Sequence, residues 1–196
     1  MLMEHLMFGN KPNGMLTPNP KLSKPKRKLK KGSRKFTKWA RELKDLKPWM
    51  EELWQILASP LEEGDAFQTV YWIWEANDNN QGKTVFQQAA YHALEGVVVS
   101  EGKPVDVKHF VSDYTKKTGT TPKIIFMNIR CEQDFVSYDA IENVKNMFFR
   151  SHEGGGMVSG PRPHVMIFAN DGPIKPNMSK DRWKIGKLHA DNITWI

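Results

Sequence analysis

The chain has 196 residues, room for one domain of ordinary size plus an extension, and its 29 Lys and Arg against 22 Asp and Glu leave a formal net charge of +7. No apolar run approaches the ~20 residues needed to span a bilayer, so the charge favours a polyanionic partner, nucleic acid before membrane. Cys131 is the only cysteine, which excludes a disulfide framework or zinc knuckle built from this chain alone and makes a reducing, intracellular compartment the simpler expectation.

Residues 1–44 mix Pro, Gly, Asn and Lys without apolar periodicity and are expected to form a disordered basic arm. The opening MLMEHLMFGNKPNG has too short an apolar run and no basic lead, so no secretory signal is expected. Within the arm, KPKRKLKK exposes Lys26, Arg27, Lys28, Lys30 and Lys31, which suit a clamp on a DNA backbone or a nuclear localisation signal; a solvated tail with no specific reader is the plain alternative. Nucleus and cytoplasm both remain open.

Residues 45–196 are expected to form the folded domain. Trp49, Leu53, Ile56 and Leu57 recur at helical spacing after Pro48, and Pro60 stops the run. FQTVYWIW reads as a buried strand, and GKTVFQQAAYHAL as a helix with Phe86, Ala90 and Leu94 on one face. Next come a strand at GVVVS, a helix across VDVKHFVSDYTKKTG and an apolar strand, KIIFMNI. SYDAIENVKNMFF reads as a helix with Ser137 as N-cap, EGGGMVSGPR as a glycine-rich turn or hairpin, and HVMIFAN as another buried strand. Strands alternating with helices predict an α/β fold with a mostly parallel sheet covered on both faces. Trp49, Trp54, Trp72 and Trp74 are expected in the core rather than as base-stacking platforms, and His164 as a structural histidine.

One loop has chemistry of its own. A phosphate-binding loop needs a strand to deliver it, backbone N–H groups free to converge on phosphate, a lysine for the β and γ phosphates, and a Ser or Thr for magnesium. Gly82, Lys83 and Thr84 supply the last positions, between the expected strand and helix. Asn77 stands where the upstream glycine of GxxxxGK[ST] would be, and Asn79 and Asn80 follow; asparagine is the non-glycine residue that best tolerates left-handed backbone.

Taken in order, WIWEANDNNQGKT, IIFMNIRCEQDFVSYDAIENVKN, EGGGMVSGPRPHVMIFAN and MSKDRWKI resemble the superfamily 3 helicase domain of replication initiator (Rep) proteins from circular single-stranded DNA viruses and related plasmids. The resemblance runs from about Pro48 to Leu188. It implies a P-loop NTPase of AAA+-like type that binds ATP and Mg2+, assembles as a homo-oligomer, a hexameric ring, and translocates single-stranded DNA. It makes Asn79, Asn80, Gln81, Gly82, Lys83 and Thr84 the nucleotide-binding loop, with Thr84 toward magnesium. Asn170 would be the polar sensor that orients water against the γ-phosphate, and Arg182 an arginine finger reaching a neighbouring subunit's nucleotide. Lys145, Arg150 and His152 fall at or near the family's DNA-facing positions.

Two departures matter. The family usually carries an Asp near the end of the second strand to hold magnesium through its water shell; FMNIR puts Met127 there, with Asn128 beside it to hold a water and Glu132 or Asp134 as the alternative carboxylate if the strand ends earlier. A Rep-derived protein that binds DNA and nucleotide without hydrolysis is therefore the alternative to an active helicase. None of the six histidines forms a His-hydrophobe-His pair, so no nicking endonuclease is expected, and a separately encoded nicking Rep is the implied partner.

Overall fold

The computed structural model describes residues 46–59, 68–75, 81–101, 104–129, 136–151, 156–174 and 181–196. The basic run between Lys26 and Lys31 and the domain boundary near residue 45 lie outside them. Helix α1 (Pro48–Ala58) starts on Pro48, whose fixed φ suits a first turn, and it ends where the Ser59 N–H donates back to Gln55 O at 3.1 Å. Its Trp49, Met50, Leu53 and Leu57 are buried. Each fully buried side chain of this size contributes roughly 1.5–3 kcal/mol of transfer free energy.

The remaining elements are β1 (Val70–Trp74), α2 (Lys83–Ala93), β2 (Val97–Glu101), α3 (Pro104–Thr118), β3 (Ile124–Ile129), α4 (Tyr138–Lys145), β4 (Phe148–Arg150), β5 (Met157–Ser159), β6 (His164–Ala169), β7 (Trp183–His189) and β8 (Asn192–Trp195). Six strands form one sheet in the order β2-β3-β6-β1-β7-β8, parallel except for the antiparallel β7–β8 pair. Strands buried on both faces explain the near-continuous apolar runs of β1, β3 and β6.

Each face has its own core. Tyr71, Ile73, Phe126, Met166 and Phe168 pack under α1 and α2 around Trp49 and Phe86, whose rings lie 5.6 Å apart. Val70, Trp72, Ile125, Met127, Val165 and Ile167 face Val107 and Val111 of α3 and Ile141 and Val144 of α4. Trp49 and Trp72 are fully buried, while Trp54 and Trp74 are partly buried against the two cores.

Ser137 caps α4 as the sequence predicts, its Oγ accepting from the Ala140 N–H at 3.3 Å. The helix stops sooner than expected. Met147 takes φ 48°, which ends it, and Phe148–Arg150 becomes a strand paired antiparallel with Met157–Ser159. The C-terminal hairpin of β7 and β8 is an addition to the expected elements. Ala190 and Asp191 take φ 45° and 67°, the pair of positive values that a two-residue type I′ turn requires.

Candidate functional site

The carboxyl end of β1 is where the sheet's connections reverse. β1 lies between β6 and β7, and Trp74 pairs with Ala169 on one side and Lys187 on the other. Crevices outside the carboxyl ends of parallel strands, at such a switch point, are the usual ligand position in open α/β sheets. Gly82 precedes α2 at φ 93°, a left-handed conformation, and a Cβ added there would meet Met50 Cε at 2.8 Å. Lys83 is then the first residue of the helix, and the Phe86 N–H bonds Gly82 O at 3.0 Å to set the first turn.

Lys83 Nζ reaches across the strand ends. It donates to Ala169 O at 2.8 Å and Asn170 Oδ1 at 2.9 Å, and pairs with Glu75 Oε1 at 3.0 Å. The second Glu75 oxygen accepts the Gln81 N–H at 3.3 Å. Glu75 directly follows β1 and its side chain is only 5% exposed. Thr84 is exposed in the first turn of α2.

Asn170 is held by the loop that follows it. Trp72 Nε1 donates to Asp171 O at 2.9 Å, and the Ile174 N–H donates to the Tyr138 hydroxyl at 2.9 Å. The Trp72 and Tyr138 rings stack with centroids 6.1 Å apart, so two buried aromatics on opposite elements fix one turn of backbone. Three predicted residues, Gln81, Lys83 and Asn170, therefore meet at one end of the sheet, with Gly82 and Thr84 beside them. Asn79 and Asn80 lie outside the described residues.

Arg182 does not join them within the chain. It precedes β7, and its carbonyl accepts from the Val70 N–H at 2.7 Å, at the amino end of β1. Its guanidinium lies 3.7 Å from Glu142 Oε2 and donates to Asn146 Oδ1 at 3.4 Å.

Lys145 corrects an expectation. It is 1% exposed and donates to Pro163 O at 2.8 Å; burial, helped by the nearby Arg162 charge, lowers its pKa to about 8. An ammonium turned into the core is not a surface contact for DNA. Arg150 is exposed on β4 beside exposed Phe148 and Met157, whereas His152 lies outside the described residues.

Two further residues bear on the missing aspartate. Met127 is 2% exposed and faces the α3 and α4 core, away from the side of the sheet that carries α2. Asn128 faces α2, and its amide exchanges two hydrogen bonds with Gln87, at 2.8 and 3.0 Å. That pair ties β3 to α2 one turn beyond Lys83. Sequence reasoning missed Glu75, and it missed Lys187, whose Nζ lies 4.9 Å from the Trp74 ring centroid at the same end.

At the opposite end of the sheet, Leu57, Leu94, Pro122, Ile124, Arg162 and His164 line a cavity of about 980 Å³. His164 Nε2 lies 3.2 Å from Ser59 O; a carbonyl only accepts, so Nε2 carries the proton. Burial, with a smaller push from the Lys145 charge, outweighs that bond and lowers the His164 pKa to about 4. It is a neutral structural histidine, as expected. Among the described residues no helix is long and apolar enough to cross a membrane, and no group of three or more His, Cys, Asp or Glu is placed to hold a metal ion.

No family model matches the chain, and no solved structure matches it. In sequence it is similar to Para-Rep C6 of the Subterranean clover stunt C6 alphasatellite, 31% identical over 144 residues that make up 72% of this chain and 47% of that protein. Para-Rep C3 of the Milk vetch dwarf C3 alphasatellite is 30% identical over 146 residues, 72% of this chain and 47% of the relative. Para-Rep C1 of the Faba bean necrotic yellows C11 alphasatellite is 24% identical over 139 residues, 70% and 45% of the two chains. The chain spans about half the length of these curated relatives. These proteins, to which it is similar over about 70% of its own length, are Para-Rep proteins of alphasatellites.

Proposed function

We propose that this chain is the ATP-dependent motor of a rolling-circle replication protein, a P-loop ATPase of the superfamily 3 helicase kind. The observation that carries the reading is the meeting of Lys83 and Asn170 at the carboxyl ends of β1 and β6, directly after a left-handed Gly82. Kinship with Para-Rep proteins supports the setting in DNA replication.

In this reading the β and γ phosphates lie against the start of α2, where unpaired N–H groups and the helix dipole favour negative charge. Lys83 neutralises the phosphates. The exposed Thr84 hydroxyl is the side chain that would hold magnesium here. Magnesium, when bound, supplies charge neutralisation. Asn170, fixed by its pinned turn, orients the attacking water. Arg182 stands at the far end of the sheet from its own Lys83, a place suited to acting on a neighbour's nucleotide in a ring once Glu142 releases it. Arg150 and the basic arm contact single-stranded DNA.

One observation favours a second reading, nucleotide binding without turnover. Met127 is in the core and Asn128 is occupied by Gln87, so neither brings a carboxylate to the site. Phosphate release with and without single-stranded DNA separates the two. The motor reading expects DNA-stimulated release that Lys83→Ala abolishes; tight Mg·ATP binding with background release alone would establish the second.

A further inference from the structure

We infer that Glu75 is a positioning residue that acts as a built-in anion, holding the phosphate donors of this site until nucleotide replaces it. The inference rests on the nucleotide reading above and adds what the ligand must displace. The Glu75 carboxylate accepts from the Gln81 N–H at 3.3 Å and pairs with Lys83 Nζ at 3.0 Å. A backbone N–H of the loop and the lysine of the following helix are the two kinds of donor that a phosphate-binding loop turns on its ligand. A carboxylate with 5% exposure between them holds one negative charge where the ligand would bring more.

The other bonds of Lys83 fix the sense of the exchange. Its ammonium has three protons, and Glu75, Ala169 O and Asn170 Oδ1 all lie within 3.0 Å of it. An incoming phosphate must take one of these places. Ala169 O belongs to β6 and is fixed by the sheet, and Asn170 is fixed by the turn pinned at Trp72 and Tyr138. Glu75 is the acceptor that stands past the end of its strand and carries the charge the phosphate replaces. Moving it aside costs an ion pair and a hydrogen bond, so the carboxylate lowers affinity for any anion at Lys83. The same contacts keep Lys83 drawn over the strand ends and only partly open to water when nucleotide is absent.

Glu75→Gln keeps the shape and removes the charge. Mg·ATP affinity measured by calorimetry is expected to tighten by about tenfold in the variant, equivalent to one ion pair no longer broken. Lys83→Ala measures the site itself, and adding Glu75→Gln to it is expected to give less than about a threefold gain, because the carboxylate acts through the lysine. A merely structural role would not make the gain depend on Lys83. Unchanged thermal midpoints in the absence of nucleotide confirm that folding is not the cause. Binding by the wild type with equal or weaker binding by Glu75→Gln overturns the inference alone, since the carboxylate then does not oppose the ligand. Failure of both proteins to bind removes the nucleotide reading and the inference with it.

Discussion

The two ends of the central sheet both gather cations, and they treat them in opposite ways. At the carboxyl end, Lys83 is matched by a carboxylate and two fixed oxygens, next to an exposed helix start. At the amino end, Lys145 donates to the carbonyl of Pro163 deep in the core; burial, with a smaller push from Arg162 on Lys145 and from Lys145 on His164, disfavours protonation of both groups. The first arrangement keeps a charged group ready to exchange partners. The second ties the start of β6 to α1 and α4 through backbone carbonyls, Pro163 O accepting from Lys145 and Ser59 O from His164. Basic residues alone therefore do not mark a site; the geometry of their acceptors separates a reactive cation from a structural one.

The comparison breaks most readily at β3. Restoring the family's aspartate by Met127→Asp places a carboxylate in the apolar core under α3 and α4, not beside α2. Burying an unpaired charge there is expected to cost about 3–5 kcal/mol, read as a large drop in urea midpoint, without gain in phosphate release. A stable variant with raised turnover would mean that the strand presents its faces differently.

The amino end is tested by acid. Unfolded histidine takes up a proton near pH 6.5, whereas His164 in the fold does so only near pH 4. Between those values the unfolded chain binds more protons, so stability is full above pH 6.5 and falls as pH drops toward 4, by roughly 2–3 kcal/mol. His164→Gln is expected to remove that component of the acid transition. An identical pH profile in the variant would show that His164 is not what opposes protonation at this end.

A smaller effect is expected at the carboxyl end, where Gly82 carries the left-handed turn into α2. Gly82→Ala forces a side chain into φ 93° and toward Met50, at a cost of about 1–2 kcal/mol in thermal or urea unfolding. A neutral substitution would mean that the turn relaxes freely, and that Lys83 is not held in place by the backbone before it.

Much of this was legible in the sequence because periodicity reports burial. Phe86 and Ala90 on one helical face, the continuous apolar runs of β1, β3 and β6, and Ser137 before α4 each follow from local pattern. What pattern hid were contacts set by tertiary register. In β7, Gly186 and Lys187 interrupt the apolar signal, yet Gly186 is needed because Ile193 and Trp195 of β8 pack against its backbone. Residues 147–149 are an apolar run just past α4, and only the positive φ of Met147 shows where the helix turns into a strand. Lys145 looks like a surface cation from its neighbours and is buried because β6 begins beside it, presenting Pro163 O as an acceptor. Glu75 gives no signal at all, since its partner Lys83 lies eight residues away across a loop whose path no spacing rule predicts.

The central claim is that Lys83 is placed to meet a nucleotide's phosphates. Equilibrium binding of Mg·ATP to wild type and Lys83→Ala, at matched folding by thermal midpoint, tests it most directly. Saturable binding by the wild type, weakened at least about a hundredfold in the variant, is the expected result. Equal affinity in the two proteins, or none in either, would contradict it.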